Sequence, residues 1–409
     1  MIRYVRLHRL IPRRVDVLTF VVGFAIGAGI LGLPTKFGSS GAGFLPSLTM
    51  LLLALFFQIV TAVYVVEGID AVGPGEFPRV MGKALGSWAS IFSYAFIVLY
   101  LVGAMTAYVV FGGVAIHTLS HGLIPTALGM LAYWAFGVAI TVGGARAIAR
   151  AEEVMVAMIL LLLAINVLLC LSTPYVSLSN LAWGDWSKAL SVFGVVLFAY
   201  AIHPAIPTAY RSFGIDERYD KLLAVGLTIS ALVYAVWSAA YMSILTPQDY
   251  VRTFRGALTG EVYHGIAGLP APVAVAELGK LKVAALLGYV FGFFTTITSF
   301  IAAAHSLLQI NIDVLKAGGQ GLRHLLIPAS VTPPLILALV NIGSFTSWLN
   351  FAGAVGAGLF SGILPSILAI KLRLSKPKTW RPLMPGGLPL AITTLAFYAA
   401  GVAWYILHH

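Results

Sequence analysis

The chain alternates between long uncharged intervals and short segments that carry its Asp, Glu, Lys and Arg residues. A membrane-spanning helix needs about 20 apolar residues, and a charged residue at its centre costs about 2.5–3.5 kcal/mol. The pattern therefore predicts an all-α membrane protein. The uncharged intervals that are long enough to span cover residues 17–35, 37–66, 84–145, 154–184, 189–210, 222–248, 283–312, 324–370 and 382–409.

Two of these intervals are long enough for two helices each. Residues 84–145 contain a turn signal near His121, and residues 324–370 contain one near Asn341. Eleven transmembrane helices follow. With the N-terminus inside, 19 of the 25 Lys and Arg residues lie in segments predicted to face the cytoplasm and six lie outside. This asymmetry places the basic tail, residues 1–14, in the cytoplasm and the C-terminus outside the cell.

Composition narrows the class of protein. Of 409 residues, 60% are hydrophobic and only 10% are charged, so the protein is expected in the cell membrane rather than in solution. The net charge of +11 is spread between apolar runs, which argues for topology signals and against nucleic-acid binding. The single cysteine, Cys170, excludes an internal disulfide and suggests no metal cluster. We expect a monomer without a bound cofactor.

The first span carries residues that weaken a helix. Residues 23–34 contain four glycines and a proline in the middle of the membrane. A break in hydrocarbon leaves backbone N–H and C=O groups without partners, which is tolerated only where protein, a wet cavity or a ligand satisfies them. The stretch therefore predicts a binding site. The alternative is that the glycines allow helices to pack closely.

The sixth span predicts a second break. It contains His203, Pro204 and Pro207, where an ordinary span would be plain. Two interrupted helices that lie five spans apart, with opposite orientation, match the first members of two inverted five-helix repeats. The chain is then one transporter domain of residues 15–409, with repeats at about 15–172 and 187–371 and an extra peripheral helix at 382–408.

The two interrupted spans resemble a known family. The segment IGAGILGLP at residues 26–34 is similar to the first-helix signature of the amino acid/auxin permease family, within the amino acid–polyamine–organocation superfamily. The segment LFAYAIHP at residues 197–204, followed by Tyr210, resembles the sixth helix of that family. In this chain Tyr210 leads into Arg211, where the family usually has an acidic residue. The resemblance implies the 5+5 inverted-repeat fold of leucine-transporter-type symporters.

A zwitterionic amino acid needs one partner for its carboxylate and another for its ammonium. Backbone N–H groups freed by the first break are expected to hold the carboxylate, and carbonyls of the sixth span are expected, by the resemblance, to accept from the ammonium. Aromatic side chains would form an apolar wall, although Tyr108 could equally serve bundle packing. The predicted substrate contacts are Ile26, Gly27, Ala28, Gly29, Tyr108, Phe198, Ala199, Tyr200, Ala201 and His203.

The substrate class follows from the absence of charge in these intervals. With no carboxylate or cation expected inside a span, the pocket has nothing to pair with a charged side chain, so a neutral amino acid is predicted. His203 has two open interpretations. It forms a structural hydrogen bond beside Pro204 and Pro207, or it carries a proton.

Span eight suggests the coupling ion. Its sequence FFTTITS at residues 293–299 clusters hydroxyl groups in an apolar helix, and Na⁺ is a hard cation that prefers neutral oxygen ligands. The alternative is that these hydroxyls bond their own helix. By the resemblance, the ion occupies a site like the second sodium site of those symporters, with carbonyls of Gly23, Ile26 and Thr295 and hydroxyls of Thr298 and Ser299 as ligands. The other sodium site of those symporters uses an asparagine just after the glycine motif, where this chain has Ile30, so one ion is expected.

These features predict a sodium-coupled symporter of neutral amino acids that works by alternating access. Two alternatives stay open, a proton-coupled permease of the same fold and a receptor that binds amino acids without transporting them. An enzyme is not expected, because it would need acids, His pairs or a nucleophile clustered inside the spans. The long external segment, residues 246–279, is predicted to gate or bind, or else to be a passive surface loop.

Overall fold

The computed structural model is almost wholly helical. It describes residues 13–143, 145–213, 219–257, 260–315, 320–340, 344–375 and 381–408, so most of the predicted basic tail lies outside the described residues. The helices of the first half are α1 (Arg13–Ala25), α2 (Gly29–Ser39), α3 (Phe44–Val72), α4 (Phe77–Leu85), α5 (Ser87–Leu119), α6 (Thr126–Val142) and α7 (Ala145–Leu171).

The second half repeats this succession of a broken helix followed by longer ones. Its helices are α8 (Ser179–Ala182), α9 (Phe193–Tyr200), α10 (Ile206–Phe213), α11 (Tyr219–Ile244), α12 (Ala271–Glu277), α13 (Lys282–Val314), α14 (Gln320–Leu339), α15 (Phe345–Phe351), α16 (Leu364–Ser375) and α17 (Gly387–His408). Short 3₁₀ turns occupy Trp186–Val192, His203–Ala205 and Pro247–Tyr250, and a hairpin pairs β1 (Thr253–Arg255) with β2 (Val262–His264) in antiparallel register.

The number of spans agrees with the charge pattern. Within the described ranges, eight helical segments are long and apolar enough to cross a membrane. The shorter helices α6 and α14, and the pair α1 and α2, fall in the remaining predicted intervals and are consistent with eleven spans. The turn predicted near His121 is present, because α5 ends at Leu119 and His121 has a φ of 53°. The turn near Asn341 falls outside the described residues.

The interrupted helices lie at the centre of the bundle. All eight residues of α9 are buried, and α2 is buried along most of its length. Helix α17 differs, since only 28% of its most apolar 18-residue stretch is buried. The corresponding fraction is 78% for the span that contains α9. This contrast fits the predicted peripheral position of the last helix, because a helix at the edge exposes most of its side chains to lipid.

A π-helix, Ala352–Ile363, joins α15 to α16 within the tenth span. Its glycines allow the backbone to approach its neighbours. A Cβ added at Gly353 would lie 1.9 Å from the Gly194 carbonyl oxygen, and one at Gly356 would lie 2.8 Å from the Cβ of Tyr100. π-helical turns recur at functional sites, and this one packs against both α9 and α5.

The external segment is ordered into short elements. It contains the hairpin and helix α12, whose seven residues are all buried. The ring of Tyr250 packs against Gly38 near the end of α2, where an added Cβ would lie 2.0 Å from the ring. The segment therefore packs on one end of the interrupted first helix. Whether it gates remains a prediction.

Candidate functional site

The first helix is interrupted where the glycines indicated. Helix α1 ends at Ala25 and α2 begins at Gly29, so residues 26–28 are unwound. Ala28, which precedes the first turn of α2, makes no side-chain cap. The first N–H groups of a helix have no partner within it, so this end of α2 offers donors to an anion.

Two details of this break differ from the expectation. The Gly27 amide already donates to the Ala25 carbonyl at 2.7 Å, so the amides of Ala28 and Gly29 are the better donors for a carboxylate. Pro34, which was counted as part of the break, lies inside α2.

The second break lies where the prolines indicated. Helix α9 ends at Tyr200, and α10 begins at Ile206 after the 3₁₀ turn His203–Ala205. The Ile202 amide donates to the Tyr200 carbonyl at 2.7 Å, a tight turn that replaces the helical bonds. The C-terminal end of α9 therefore presents carbonyl groups that its own helix no longer satisfies.

Tyrosine hydroxyls donate hydrogen bonds to carbonyls at the helix ends. No sequence motif predicted these bonds. The hydroxyl of Tyr100 on α5 donates to the Phe198 carbonyl at 3.5 Å. The hydroxyl of Tyr234 on α11 lies 2.8 Å from the Ala199 carbonyl oxygen and also contacts the Ala25 carbonyl oxygen. An ammonium group that used the α9 carbonyls would share them with these phenols. A tyrosine within an apolar helix gives no distinctive signal, since it is usually part of the packing.

The predicted aromatic wall is assembled in part. Phe198 packs against Tyr100 and Tyr108, with ring centroids 5.3 and 6.4 Å apart. Tyr200 faces a different neighbour, because its ring packs at 5.4 Å on Tyr234 of α11. Tyr108 and Phe198 thus belong to one group of rings, and Tyr100 replaces Tyr200 in it.

The glycines of the break contact two other helices. A Cβ at Gly29 would lie 2.8 Å from the Ala199 Cα atom, so this glycine is required for close packing against α9. The packing alternative is therefore correct for Gly29, although its amide remains at the helix end. A Cβ at Gly27 would lie 2.4 Å from the Ser299 hydroxyl oxygen of α13. The first break is thus in direct contact with both the sixth and the eighth spans.

The predicted ligands of α13 converge on one carbonyl. The hydroxyls of Thr298 and Ser299 both donate to the Thr295 carbonyl, at 3.0 and 2.9 Å. Back-bonding of this kind is the alternative considered for these residues, and it holds for both hydroxyls. It also gathers three neutral oxygens within reach of one another. Ser299 contacts Gly27, and space is open beside Gly23, where an added Cβ would meet nothing within 4 Å.

His203 is completely buried and bonds to α3. Its Nε2 atom lies 2.9 Å from the Thr61 hydroxyl oxygen. That hydroxyl can donate its proton to the Phe57 or Gln58 carbonyl, at 3.0 and 3.3 Å, so it is available to accept a hydrogen bond from a protonated Nε2. The Nδ1 atom has no hydrogen-bond partner among the described residues. This favours the structural role of the histidine and leaves one ring nitrogen as an unused acceptor.

Charged residues lie inside the described helices, contrary to the expectation that no carboxylate is embedded. Helix α3 extends beyond its uncharged interval, and its Glu67 is buried in an ion pair with Arg373 of α16, at 2.9 Å. The Tyr210 hydroxyl donates to Asp70 of α3, so this tyrosine is paired with an acidic residue of another helix. Neither carboxylate is among the residues that contact the breaks. Their positions leave the prediction of a neutral substrate unaffected.

The external segment carries its own buried ion pair. The Lys280 ammonium donates to Asp249, which also accepts from the Thr246 amide at 2.8 Å. Burial alone would raise the pKa of Asp249, but the Lys280 and Thr246 donors outweigh it and hold the pKa below its ordinary value. The carboxylate is therefore ionised at neutral pH and fixes the start of the segment that covers α2.

Known proteins resemble the chain over nearly its full length. A low affinity tryptophan permease of Proteus vulgaris is 25% identical over 411 residues, which cover 94% of this chain and 92% of that protein. Tyrosine-specific transport system 1 of Haemophilus influenzae is 26% identical over 388 residues, 91% of each chain. The crystal structure of MhsT in complex with L-phenylalanine matches with a TM-score of 0.66 at 14% identity, covering 96% of this chain and 98% of that one.

The structural match places the bundle in the leucine-transporter-type fold that the two breaks predicted. At 14% identity it speaks for the fold alone. The family model that matches describes the tryptophan/tyrosine permeases rather than the amino acid/auxin permeases, and it spans residues 15–405. A multi-pass membrane protein that is matched over this length, with both helix breaks inside the match, is an amino acid permease and not an enzyme. The chain belongs to the tryptophan/tyrosine permease family.

Proposed function

We propose that this permease carries an uncharged aromatic amino acid together with one Na⁺ ion by alternating access. The observation that carries the proposal is a ring of contacts around the first break. Gly27 contacts Ser299, and Ser299 lies beside Tyr108. Tyr108 packs on Phe198, and Ala199, the next residue, contacts Gly29. Helix-end donors, hydroxyl oxygens and aromatic rings therefore surround one short unwound segment.

Each part of the substrate has a candidate partner in this ring. The carboxylate would bind the amides of Ala28 and Gly29, because the uncapped end of α2 carries a partial positive charge. The ammonium would approach the carbonyl end of α9. The side chain would lie against Tyr108 and Phe198, since aromatic rings favour edge-to-face or offset contacts with one another. The names of the curated relatives, a tryptophan permease and tyrosine transport systems, support an aromatic substrate.

The same ring supports a sodium site. The oxygens of Thr295, Thr298 and Ser299 are neutral and close together, which suits a hard monovalent cation. Carbonyls of Gly23 and Ile26 at the end of α1 would complete the set. The two hydroxyls donate to the Thr295 carbonyl, and they would rotate to present lone pairs to a bound ion. We expect one ion only.

Proton coupling is the second candidate, and one observation favours it. His203 is buried at the second break with its Nδ1 atom unpartnered among the described groups, so it has a lone pair that could take up a proton. A permease coupled through His203 would need no ligand on α13. The two candidates therefore place the ion at different breaks.

Uptake into liposomes distinguishes these possibilities. Purified protein is given radiolabelled tyrosine or tryptophan with a sodium gradient alone or a proton gradient alone, and the other amino acids compete. We expect accumulation driven by sodium, strong competition by aromatic amino acids only, and a large loss of sodium dependence in Thr298→Ala. Uptake driven by protons in sodium-free buffer, unaffected by Thr298→Ala, would shift coupling to His203. Binding without accumulation would indicate a receptor.

Further assignments belong to the same proposal. We infer from the distribution of its Lys and Arg residues that the protein lies in the cell membrane with its N-terminus in the cytoplasm and its C-terminus outside. Its monomeric state stays a prediction.

A further inference from the structure

One side chain connects the two interrupted helices. Tyr234 of α11 is fully buried, and its hydroxyl lies between the Ala25 carbonyl at the end of α1 and the Ala199 carbonyl near the end of α9. Both carbonyls belong to the last turn of a helix that stops inside the membrane. Each therefore carries part of the negative end of a helix dipole.

Two helix ends of the same sign repel each other unless a donor lies between them. A phenol has one proton, and it can satisfy only one of the two carbonyls fully at a time, so the hydroxyl is shared between both helices. The Ala25 carbonyl also accepts from the Gly27 amide at 2.7 Å, so the phenol is the donor that this carbonyl shares with the Ala199 carbonyl. Within the described residues, the hydroxyl of Tyr234 holds this bridging position.

We propose that Tyr234 is a positioning residue whose hydroxyl holds the ends of α1 and α9 in register and thereby couples the ion site to the amino acid site. Ala25 lies between Gly23 and Ile26, whose carbonyls are candidate ion ligands. Ala199 touches Gly29, whose amide is a candidate carboxylate donor. A shift at the phenol therefore reaches both sites.

The coupling half of the inference rests on the proposed function, whereas the positioning half does not. Coupling between two ligands is reciprocal, so each ligand changes the affinity for the other by the same factor. A residue that carries this coupling therefore affects both affinities. Loss of the Tyr234 hydroxyl should then weaken both affinities together. A residue that only stabilises the bundle would lower the amount of folded protein without this joint effect.

The test compares Tyr234→Phe with Tyr241→Phe. Tyr241 lies two turns further along α11, is equally buried, and donates its hydroxyl to Asn166 at 3.2 Å, away from both breaks. Positioning is measured with a reporter cysteine, Ala28→Cys, in a background where Cys170 is replaced by Ala. Ala28 is 1% exposed, so its labelling by a small thiol reagent reports opening of the break. We expect labelling to become about tenfold faster in Tyr234→Phe and to stay unchanged in Tyr241→Phe.

Coupling is measured by uptake in the protein that keeps both Cys170 and Ala28, without the reporter cysteine. We expect Tyr234→Phe to raise the KM for tyrosine and the half-saturating sodium concentration, each about tenfold, with a maximal rate within about twofold of wild type. Equal labelling rates in Tyr234→Phe and wild type would overturn the positioning role, whatever the uptake assays give. Faster labelling with unchanged KM and sodium dependence would overturn the coupling role. A wild-type protein that fails to take up amino acids would refute the proposed function, while the labelling result would still decide the role of Tyr234.

Discussion

The contact between Gly27 and Ser299 allows packing to be separated from ion binding. A Cβ at Gly27 would lie 2.4 Å from the Ser299 hydroxyl oxygen but 3.6 Å from the Ser299 Cβ atom. Gly27 does not have a positive φ, so alanine meets no backbone strain there. Overpacking of a buried contact typically costs about 1–3 kcal/mol. We expect Gly27→Ala to lower the free energy of unfolding by this amount.

Removing the hydroxyl should restore packing without restoring the ion site. In Gly27→Ala/Ser299→Ala the nearest atoms to the new methyl group lie at 3.6 Å, an ordinary contact. The double variant loses the hydrogen bond from Ser299 to the Thr295 carbonyl, worth about 0.5–1.5 kcal/mol. That carbonyl keeps its bond from Thr298, so no acceptor is left without a partner. We therefore expect stability within about 1 kcal/mol of wild type.

The assay joins two measurements on the same four proteins, the wild type, both single variants and the double variant. Chemical unfolding in detergent gives the stability, and uptake over a range of sodium concentrations gives the ion dependence. If Ser299 is a ligand, Ser299→Ala and the double variant both need at least about tenfold more sodium, because even outer-shell changes at metal sites cost 10–100-fold. A double variant that regains wild-type sodium dependence would refute Ser299 as a ligand. A fully stable Gly27→Ala would refute the close contact.

Two ion pairs outside the site give further predictions. Glu67→Gln leaves Arg373 buried without its counter-charge and should cost about 3–5 kcal/mol in unfolding experiments, whereas Glu67→Leu/Arg373→Met should recover most of it; equal losses in both would contradict the ion-pair account. Asp249→Asn should increase hydrogen exchange in the external segment at neutral pH, while Asp185→Asn at an exposed site should not. Because the folded pKa of Asp249 lies below its ordinary value of 3.8, its stabilising effect is present above that value and is lost as the pH falls through the folded pKa, so the difference between wild type and Asp249→Asn should disappear in acid.

The spans and breaks were predictable because their causes are local in sequence. Charge in hydrocarbon is costly wherever it occurs, so uncharged intervals mark the helices without knowledge of their neighbours. Glycine and proline weaken a helix through their own backbone, so both interruptions were visible at residues 23–34 and 189–210. The exact positions were less certain. Pro34 is the sixth residue of α2, beyond the first turn in which a missing donor is tolerated, so the local sequence does not indicate that the helix continues through it.

The contacts that complete the site depend on the tertiary structure. Tyr100 and Tyr234 lie in ordinary apolar helices, and only the packing of α5 and α11 brings their hydroxyls to the broken ends. Gly29 matched both a ligand site and a packing contact in sequence; the closeness of Ala199 establishes the packing contact and leaves the ligand role of the amide a prediction. Glu67 was missed because it follows its uncharged interval by one residue, where a loop was expected and the helix continues.

The polar residues of α3 indicate which parts of the bundle move together. Four of them contact partners in the second half of the chain. These pairs are Gln58 with Ser361, Thr61 with His203, Glu67 with Arg373, and Asp70 with Tyr210. In a medium of low dielectric, separating such pairs exposes unpaired polar groups, so α3, α10 and α16 are expected to move as one body. The motion that opens the site is then more easily made by α1 and α2. Among the described residues, the shared hydroxyl of Tyr234 and the packing of Gly29 on Ala199 link these helices to the second break. On the proposed function, a transporter built this way would need few bonds to change as it opens, and those bonds lie at the proposed substrate and ion sites.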